Sequence, residues 1–259
     1  MKKVLVVLFV WLSISCAQGK VDHSIFGELM KEYNYNGYLD YNGLKKENKL
    51  NSYLEILSNS NPSKLESDRS KIAFWINVYN AYTIKAIVDN YPIKSINDLH
   101  SGGRILGHIL STTVWDDDFI TINEKKYSLN DVEHKILRKE FKEPRIHFAI
   151  VCASISCPNL RGEAFTENNL EQQLLEQTNS FFDDETKTKF DKKNRVAYLS
   201  KILDWFSEDF GENDKEILLF TTKYVNEDLA SDIKNNLEDW SIDYLDYDWG
   251  LNDHKKNED

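Results

Sequence analysis

The sequence predicts a helix-rich α+β single domain with a small β-sheet, and three observations carry that expectation. Several long stretches repeat apolar residues at helical spacing. A few short apolar or β-branched runs read as strands that need not be sequential neighbours. The 259 residues include thirteen Tyr, thirteen Phe and six Trp but only ten Gly and four Pro, the composition of a folded, helix-leaning chain. A cysteine-protease-like arrangement is one form such a domain could take.

The first element is not part of the fold. Met1-Lys2-Lys3 precedes an apolar run from Val4 to Ile14 and then Ser15-Cys16-Ala17-Gln18. A basic start, a short apolar core and small residues before a polar one make residues 1–17 a secretory signal. The run is too short to span a bilayer, which takes about 20 apolar residues. Ser15 and Ala17 suit cleavage after Ala17. Cys16 suits instead a lipoprotein signal, in which the cysteine is acylated, although Ser13 stands where that pattern favours a branched aliphatic residue. Either route exports the chain, to the periplasm or to a lipid anchor at the envelope.

Helices follow near 24–33 and 49–58, bridged by an extended Tyr38-Leu39-Asp40-Tyr41, with a turn at 59–62. A long helix over 67–90 ends at Tyr91-Pro92. Its middle, from Ile72 to Tyr82, is apolar almost all the way round, so it is buried on most sides. Asn77 and Asn80 lie three apart on one face. Buried amides must be hydrogen-bonded, so they either pin neighbouring loops or line a site. After a glycine-containing stretch at 101–104, the runs 119–122 and 126–127 form a hairpin around Asn123-Glu124. Ser128 caps a helix to about residue 139, with Leu129, Val132, Ile136 and Leu137 as its apolar face and His134 beside it.

Residues 145–152 read as the best strand in the chain. A helix over 166–182, a strand over 195–199, and helices near 201–210, 215–224 and 227–237 complete the body. Residues 241–249 close the ordered part, and the charged tail 253–259 frays.

The formal net charge is −11 and no Lys/Arg block offsets it, so nucleic acid and anionic membrane surfaces are poor partners. A membrane is reached only through a lipid on Cys16. No glycine-rich phosphate loop, nucleophile elbow or His-Glu-x-x-His motif is present, and no cofactor is expected.

Chemistry concentrates between His147 and Arg161. There Cys152-Ala153-Ser154-Ile155-Ser156-Cys157-Pro158 forms a loop of small residues with two thiols. Pro158 suits the first position of a helical turn, which would set the Cys157 sulfur where a thiolate is favoured. His134 or His147 could act as its base. Other readings stay open: a structural disulfide outside the cytosol, redox chemistry at a spacing unlike Cys-x-x-Cys, and a zinc site from His134, His147, Cys152 and Cys157. The run Asp246-Tyr247-Asp248-Trp249 could line a sugar or peptide cleft.

Four stretches together resemble the family called domain of unknown function 547. They are Phe74-Trp75-Ile76-Asn77-Val78-Tyr79-Asn80-Ala81, Ser128-Leu129-Asn130-Asp131-Val132-Glu133-His134, His147-Phe148-Ala149 through Ser156-Cys157-Pro158, and Tyr247-Asp248-Trp249-Gly250-Leu251-Asn252. The resemblance spans residues 22–252 and implies no settled activity. Its recurring residues match Trp75, Asn77, Asn80, His134, His147, Cys152, Ser156, Cys157 and Pro158. Intracellular plant relatives, where a permanent disulfide would be unusual, weigh towards a functional thiol. The leading expectation is a thiol-dependent hydrolase or acyl transferase acting on an envelope peptide-like substrate. Cys157, His134 and His147 would be its catalytic residues, and Asn77, Asn80, Cys152, Ser156 and Trp249 would bind, with no metal. The alternative is a non-catalytic binding or scaffold domain with a structural Cys152–Cys157 pair.

Overall fold

The computed structural model describes residues 20–99 and 113–255. The expected signal, the glycine-containing stretch at 101–104 and the last four residues of the tail lie outside them. The architecture is α+β: helices around one long central helix, with three small separate sheets.

Helix α1 (Ser24–Tyr33) packs beside α3 (Lys49–Asn59), joined through a two-residue ladder of β1 (Asn34–Tyr35) and β2 (Tyr38–Leu39) and a short α2 (Tyr41–Lys45). The Asp40 carboxylate accepts the Gly43 N–H and starts α2, so the bridge expected to be extended turns helical at Tyr41. The central helix is α4 (Asp68–Asn90), with Ser67 and Ser70 forming a capping box at its start. All of Ile72 to Ile84 is buried, as its all-round apolar sequence demands.

The hairpin of β3 (Ile120–Ile122) and β4 (Lys125–Tyr127) forms as expected. Asn123 and Glu124 both take positive φ, 47° and 66°, which is what a two-residue hairpin turn of matching twist requires. Ser128 Oγ accepts the Asp131 N–H while the Asp131 carboxylate accepts the Ser128 N–H. The helix so capped is not regular: Asp131–Leu137 is a π-helix that runs on into α5 (Arg138–Phe141). Such wide turns occur often at functional sites.

The strand expected over 145–152 does not form. Pro144–Phe148 is a 3₁₀ helix, and the chain then turns. Pro144 presets the first turn, and the Glu143 side chain accepts the Arg145 N–H. Among the described residues no strand lies beside it to pair with. After α6 (Leu170–Asp183), strand β5 (Lys189–Asp191) runs antiparallel to β6 (Val196–Leu199), which pairs in parallel with β7 (Ser241–Tyr244). The helices α7 (Lys201–Trp205), α8 (Ser207–Phe210), α9 (Asp214–Thr221) and α10 (Glu227–Asn235) make that crossover.

Two apolar clusters fill the interior: one around α4, the other around Phe148, Phe181, Phe210 and Phe220. The start of the tail does not fray. The His254 N–H donates to Leu39 O at 2.8 Å, and the His254 ring stacks on Tyr35. Among the described residues no helix is long and apolar enough to cross a membrane.

Candidate functional site

The two asparagines of α4 build the floor of the site without facing it. Asn80 donates from Nδ2 to Ala149 O and accepts the Val151 N–H through Oδ1, both at 2.9 Å. Asn77 does the same for one residue, donating to Phe165 O at 2.8 Å and accepting the Phe165 N–H at 2.9 Å. Each amide thus takes the place of a neighbouring strand for irregular backbone that could not otherwise be buried. Of the two possibilities the sequence left open, pinning loops and lining a site, these bonds are the first.

The loop they hold carries the cysteines. Ala153 sits in the left-handed region at φ 60°, a conformation that costs a β-carbon-bearing residue free energy and recurs at functional sites. Cys152 and Cys157 are joined in a disulfide, and the Cys152 N–H also points at Cys157 Sγ, 2.8 Å away. Cys157 is buried and Cys152 half-buried. The C-terminal segment straps across this loop. Ile155 N–H donates to Gly250 O, Asn252 N–H to Ala153 O, and Asp248 N–H to Ser156 Oγ. Ser156 therefore fastens the strap, which sets the Tyr247 hydroxyl 3.2 Å from Cys152 Sγ and 3.1 Å from Ser154 Oγ.

Between loop, strap and π-helix lies a cavity of about 160 Å³. That is room for one residue-sized group, since sites that swallow a whole small molecule run to about 300–1,000 Å³. Both cysteines and Pro158 form one side; Glu133, His134 and His147 form another; Trp115, Trp205, Tyr247 and Trp249 give an aromatic wall. Trp205 stacks on Trp249 with ring centroids 5.7 Å apart and is still 47 % exposed. A large aromatic held in water at the mouth of a cavity offers a surface for a ligand.

The polar side is one connected network. Tyr79 donates its hydroxyl to Glu133 Oε2 at 3.2 Å. The other carboxylate oxygen, Oε1, lies 4.0 Å from His147 Nδ1. His147 Nε2 donates to Asp209 Oδ2 at 2.6 Å, and Arg138 Nε reaches the same oxygen at 2.5 Å. A further guanidinium N–H of Arg138 donates to His134 Nδ1 at 3.0 Å, which leaves the ring proton of His134 on Nε2. The His147 ring is buried and stacked on Phe206 at 4.2 Å.

The electrostatics follow from that packing. Burial pushes Glu133 up to about 7, against the Tyr79 hydrogen bond and the Arg138 charge. Burial holds His147 below the ordinary histidine range despite its bond to Asp209, and holds His134 down as well, helped by the Arg138 cation. For Asp209, burial alone would act upward, but the hydrogen bonds from His147 and Arg138 outweigh it and keep the carboxyl at about 2. A neutral imidazole thus stands between an ionised carboxylate and one that titrates near neutrality.

Of the residues expected from sequence, Cys157, Cys152, His134, His147 and Trp249 come together around this cavity. Asn77, Asn80 and Ser156 hold the backbone around it. The His147 ring is held by Asp209, a residue outside the expected set. Sequence reasoning missed Glu133, Asp209, Arg138 and Trp205. Glu133 had a signal, because it interrupts the apolar stripe of Leu129, Ile136 and Leu137, three or four residues from each. Asp209 had none, being 62 residues from its partner. Among the described residues no group of three or more His, Cys, Asp or Glu side chains is placed so as to hold a metal ion.

Fold and site together define a helix-rich α+β domain whose cavity joins a cysteine pair to a buried carboxylate–imidazole network. Residues 62–182 match the family described as Protein of unknown function, DUF547. The segment supplies α4, Glu133, both histidines and both cysteines, whereas Asp209, Trp205, Tyr247 and Trp249 come from the chain that follows. No curated protein matches the chain, and no solved structure matches it.

Proposed function

We propose that the domain is a thiol-dependent hydrolase or acyl transferase acting on an envelope peptide-like substrate, with its cysteine pair reduced by a dithiol donor. The single observation carrying this is that the cysteine pair and His147, which Asp209 holds from behind, open onto one cavity. Nucleophile, base and orienting carboxylate are the parts an activated thiol needs. His147 donates from Nε2 to Asp209, so its lone pair is on Nδ1, ready to take a proton. The backbone N–H aimed at Cys157 Sγ favours the thiolate. His134 carries its ring proton on Nε2 and can donate it to a developing oxyanion. The signal at residues 1–17 and its cysteine would bring the domain to the envelope, and the cysteine-protease-like form expected from sequence belongs to this reading.

One observation favours a second reading. The cysteines are joined, which suits a binding domain with a structural disulfide, its ligand lying on the Trp205–Trp249 stack. Alkylation of the reduced protein across pH, read by peptide mass spectrometry, separates the two. The hydrolase reading expects Cys157 to react in the native fold with an inflection well below the ordinary thiol value of about 8.5, and expects His147→Gln to abolish that inflection. Labelling only after denaturation would leave the binding domain in its place.

A further inference from the structure

We propose that Glu133 is the proton acceptor and donor of the cavity, sharing a single exchangeable proton with His147, and that Asp209 and Arg138 hold the imidazole in the tautomer that makes the sharing possible. The inference deepens the acyl-transfer reading and rests on it for its use in catalysis, but the shared proton itself needs no cysteine.

The argument is geometric. A buried carboxyl group has to be neutral or paired. Glu133 has the Tyr79 hydroxyl on one oxygen and His147 Nδ1 beyond the other at 4.0 Å, too far for a direct hydrogen bond and close enough for a ligand atom or a water to bridge. Nδ1 bears a lone pair because Nε2–H is spent on Asp209. A protonated Glu133 can therefore donate towards Nδ1, and an ionised one requires a proton on it. One proton serves the two sites, which titrate as a pair. That Glu133 is held near neutrality by burial agrees with this.

Every charged or titratable group around the pair has a place in it. Tyr79 faces Glu133 from α4. His134 and Arg138 stand on the π-helix and α5 and join Asp209 and Glu208 of α8. From the strap, the buried Tyr247 hydroxyl is pushed up to about 12 and stays neutral. The cysteines lie across the cavity. Among the described residues no cation reaches the Glu133 oxygens with a hydrogen bond, so the carboxyl group is left to exchange its proton with the cavity.

In acyl transfer the atoms balance as follows. The Cys157 thiol proton passes to the ionised Glu133 by way of His147 Nδ1. The sulfur forms a bond to the acyl carbon, and the bond from that carbon to the amide nitrogen breaks, the departing amine taking the proton from Glu133. A water or acceptor amine then attacks the thioester, gives its proton to the same carboxylate, and the Cys157 sulfur recovers a proton as it leaves. The ligand so served is an amide or ester whose carbonyl carbon sits between the cysteine side and the carboxylate side of the cavity.

The test is an NMR titration of the full chain labelled at Glu carboxyl carbons and His ring nitrogens. We expect one Glu resonance with an inflection near pH 7, mirrored in the His147 ring nitrogens, and its loss in Glu133→Gln with a displaced His147 titration. Asp209→Asn should move the His147 proton off Nε2 while Glu133 still titrates late. The same coupling should persist in a Cys152→Ser/Cys157→Ser double variant, so a failure of the thiol reading leaves this one standing. A Glu133 inflection in the ordinary carboxylate range, or a His147 titration identical in Glu133→Gln, overturns the inference. So does native Cys157 labelling whose pH profile is unchanged in Glu133→Gln.

Discussion

His147 Nε2 and Asp209 Oδ2 lie 2.6 Å apart across 62 residues of sequence, and Arg138 Nε meets the same oxygen from a third element. A 3₁₀ turn, the four-residue α8 and the start of α5 are locked together at that one atom. The charge-assisted bonds fix ring orientation and tautomer at once.

Removing that charge should therefore be felt in stability as well as chemistry. Asp209→Asn keeps the shape but leaves Arg138 with a weaker partner and His147 facing an amide. We expect a loss of about 1.5–3 kcal/mol, the usual worth of hydrogen bonds to charged groups. It should appear in urea unfolding as a lower midpoint with an unchanged slope. A midpoint equal to that of the wild type would mean the pair is solvated and the described geometry unimportant.

Asn80→Ala should destabilise more than an average substitution. It strands the Ala149 carbonyl and the Val151 N–H, which Asn80 satisfies at 2.9 Å each. Each unsatisfied buried group costs about 1–3 kcal/mol. Asn80→Asp should be no milder, since it keeps an acceptor for Val151 but sets a carboxylate against the Ala149 carbonyl. Chemical unfolding of both variants decides this. If Asn80→Asp rescues Asn80→Ala, the amide is not acting as a two-ended pin.

A half-buried histidine and a buried glutamate should give stability opposite slopes with pH. His23, bonded to the Tyr53 hydroxyl at 2.6 Å, is held by burial at about 4. Its contribution is present above the unfolded value of about 6.5 and is lost as pH falls towards 4. Glu133 is raised to about 7. Its contribution is full below the unfolded value of about 4.3 and is lost as pH rises through 7, a change on the order of 3 kcal/mol for a fully buried group. Glu133→Gln should thus melt close to the wild type at pH 5 and above it at pH 8, and His23→Gln should flatten the acid limb. Thermal melts at the two pH values give the answer, and parallel curves for wild type and Glu133→Gln would remove the buried-carboxyl account.

The sequence by itself determined the elements whose cause is local. Ser128 caps the helix it was expected to cap, and Ser67, where the long helix was expected to start, caps α4, because a hydroxyl before a helix meets its orphan N–H groups wherever the chain goes. The all-round apolar run of α4 could only be an interior helix, and Asn123-Glu124 could only be a tight turn between two short strands. Glu133 left a trace as well, a carboxylate set in an apolar stripe, which sequence reasoning passed over.

Only the tertiary structure decided the rest. The apolar run from Ile146 to Val151 has strand composition, yet it is a 3₁₀ helix and a turn, because its backbone partner is the Asn80 side chain rather than another strand. Short apolar runs do not declare which partner they will find. The straight strand would have put His147 and Cys152 on opposite faces; the turn brings both to one cavity. Asp209 and Trp205 belong to short helices with no motif of their own, and the strap that carries Tyr247 and Trp249 is placed by backbone bonds to a loop more than ninety residues earlier. Contacts of that range depend on how every intervening element packs, so the acid–base half of the site exists only once the chain has closed on itself.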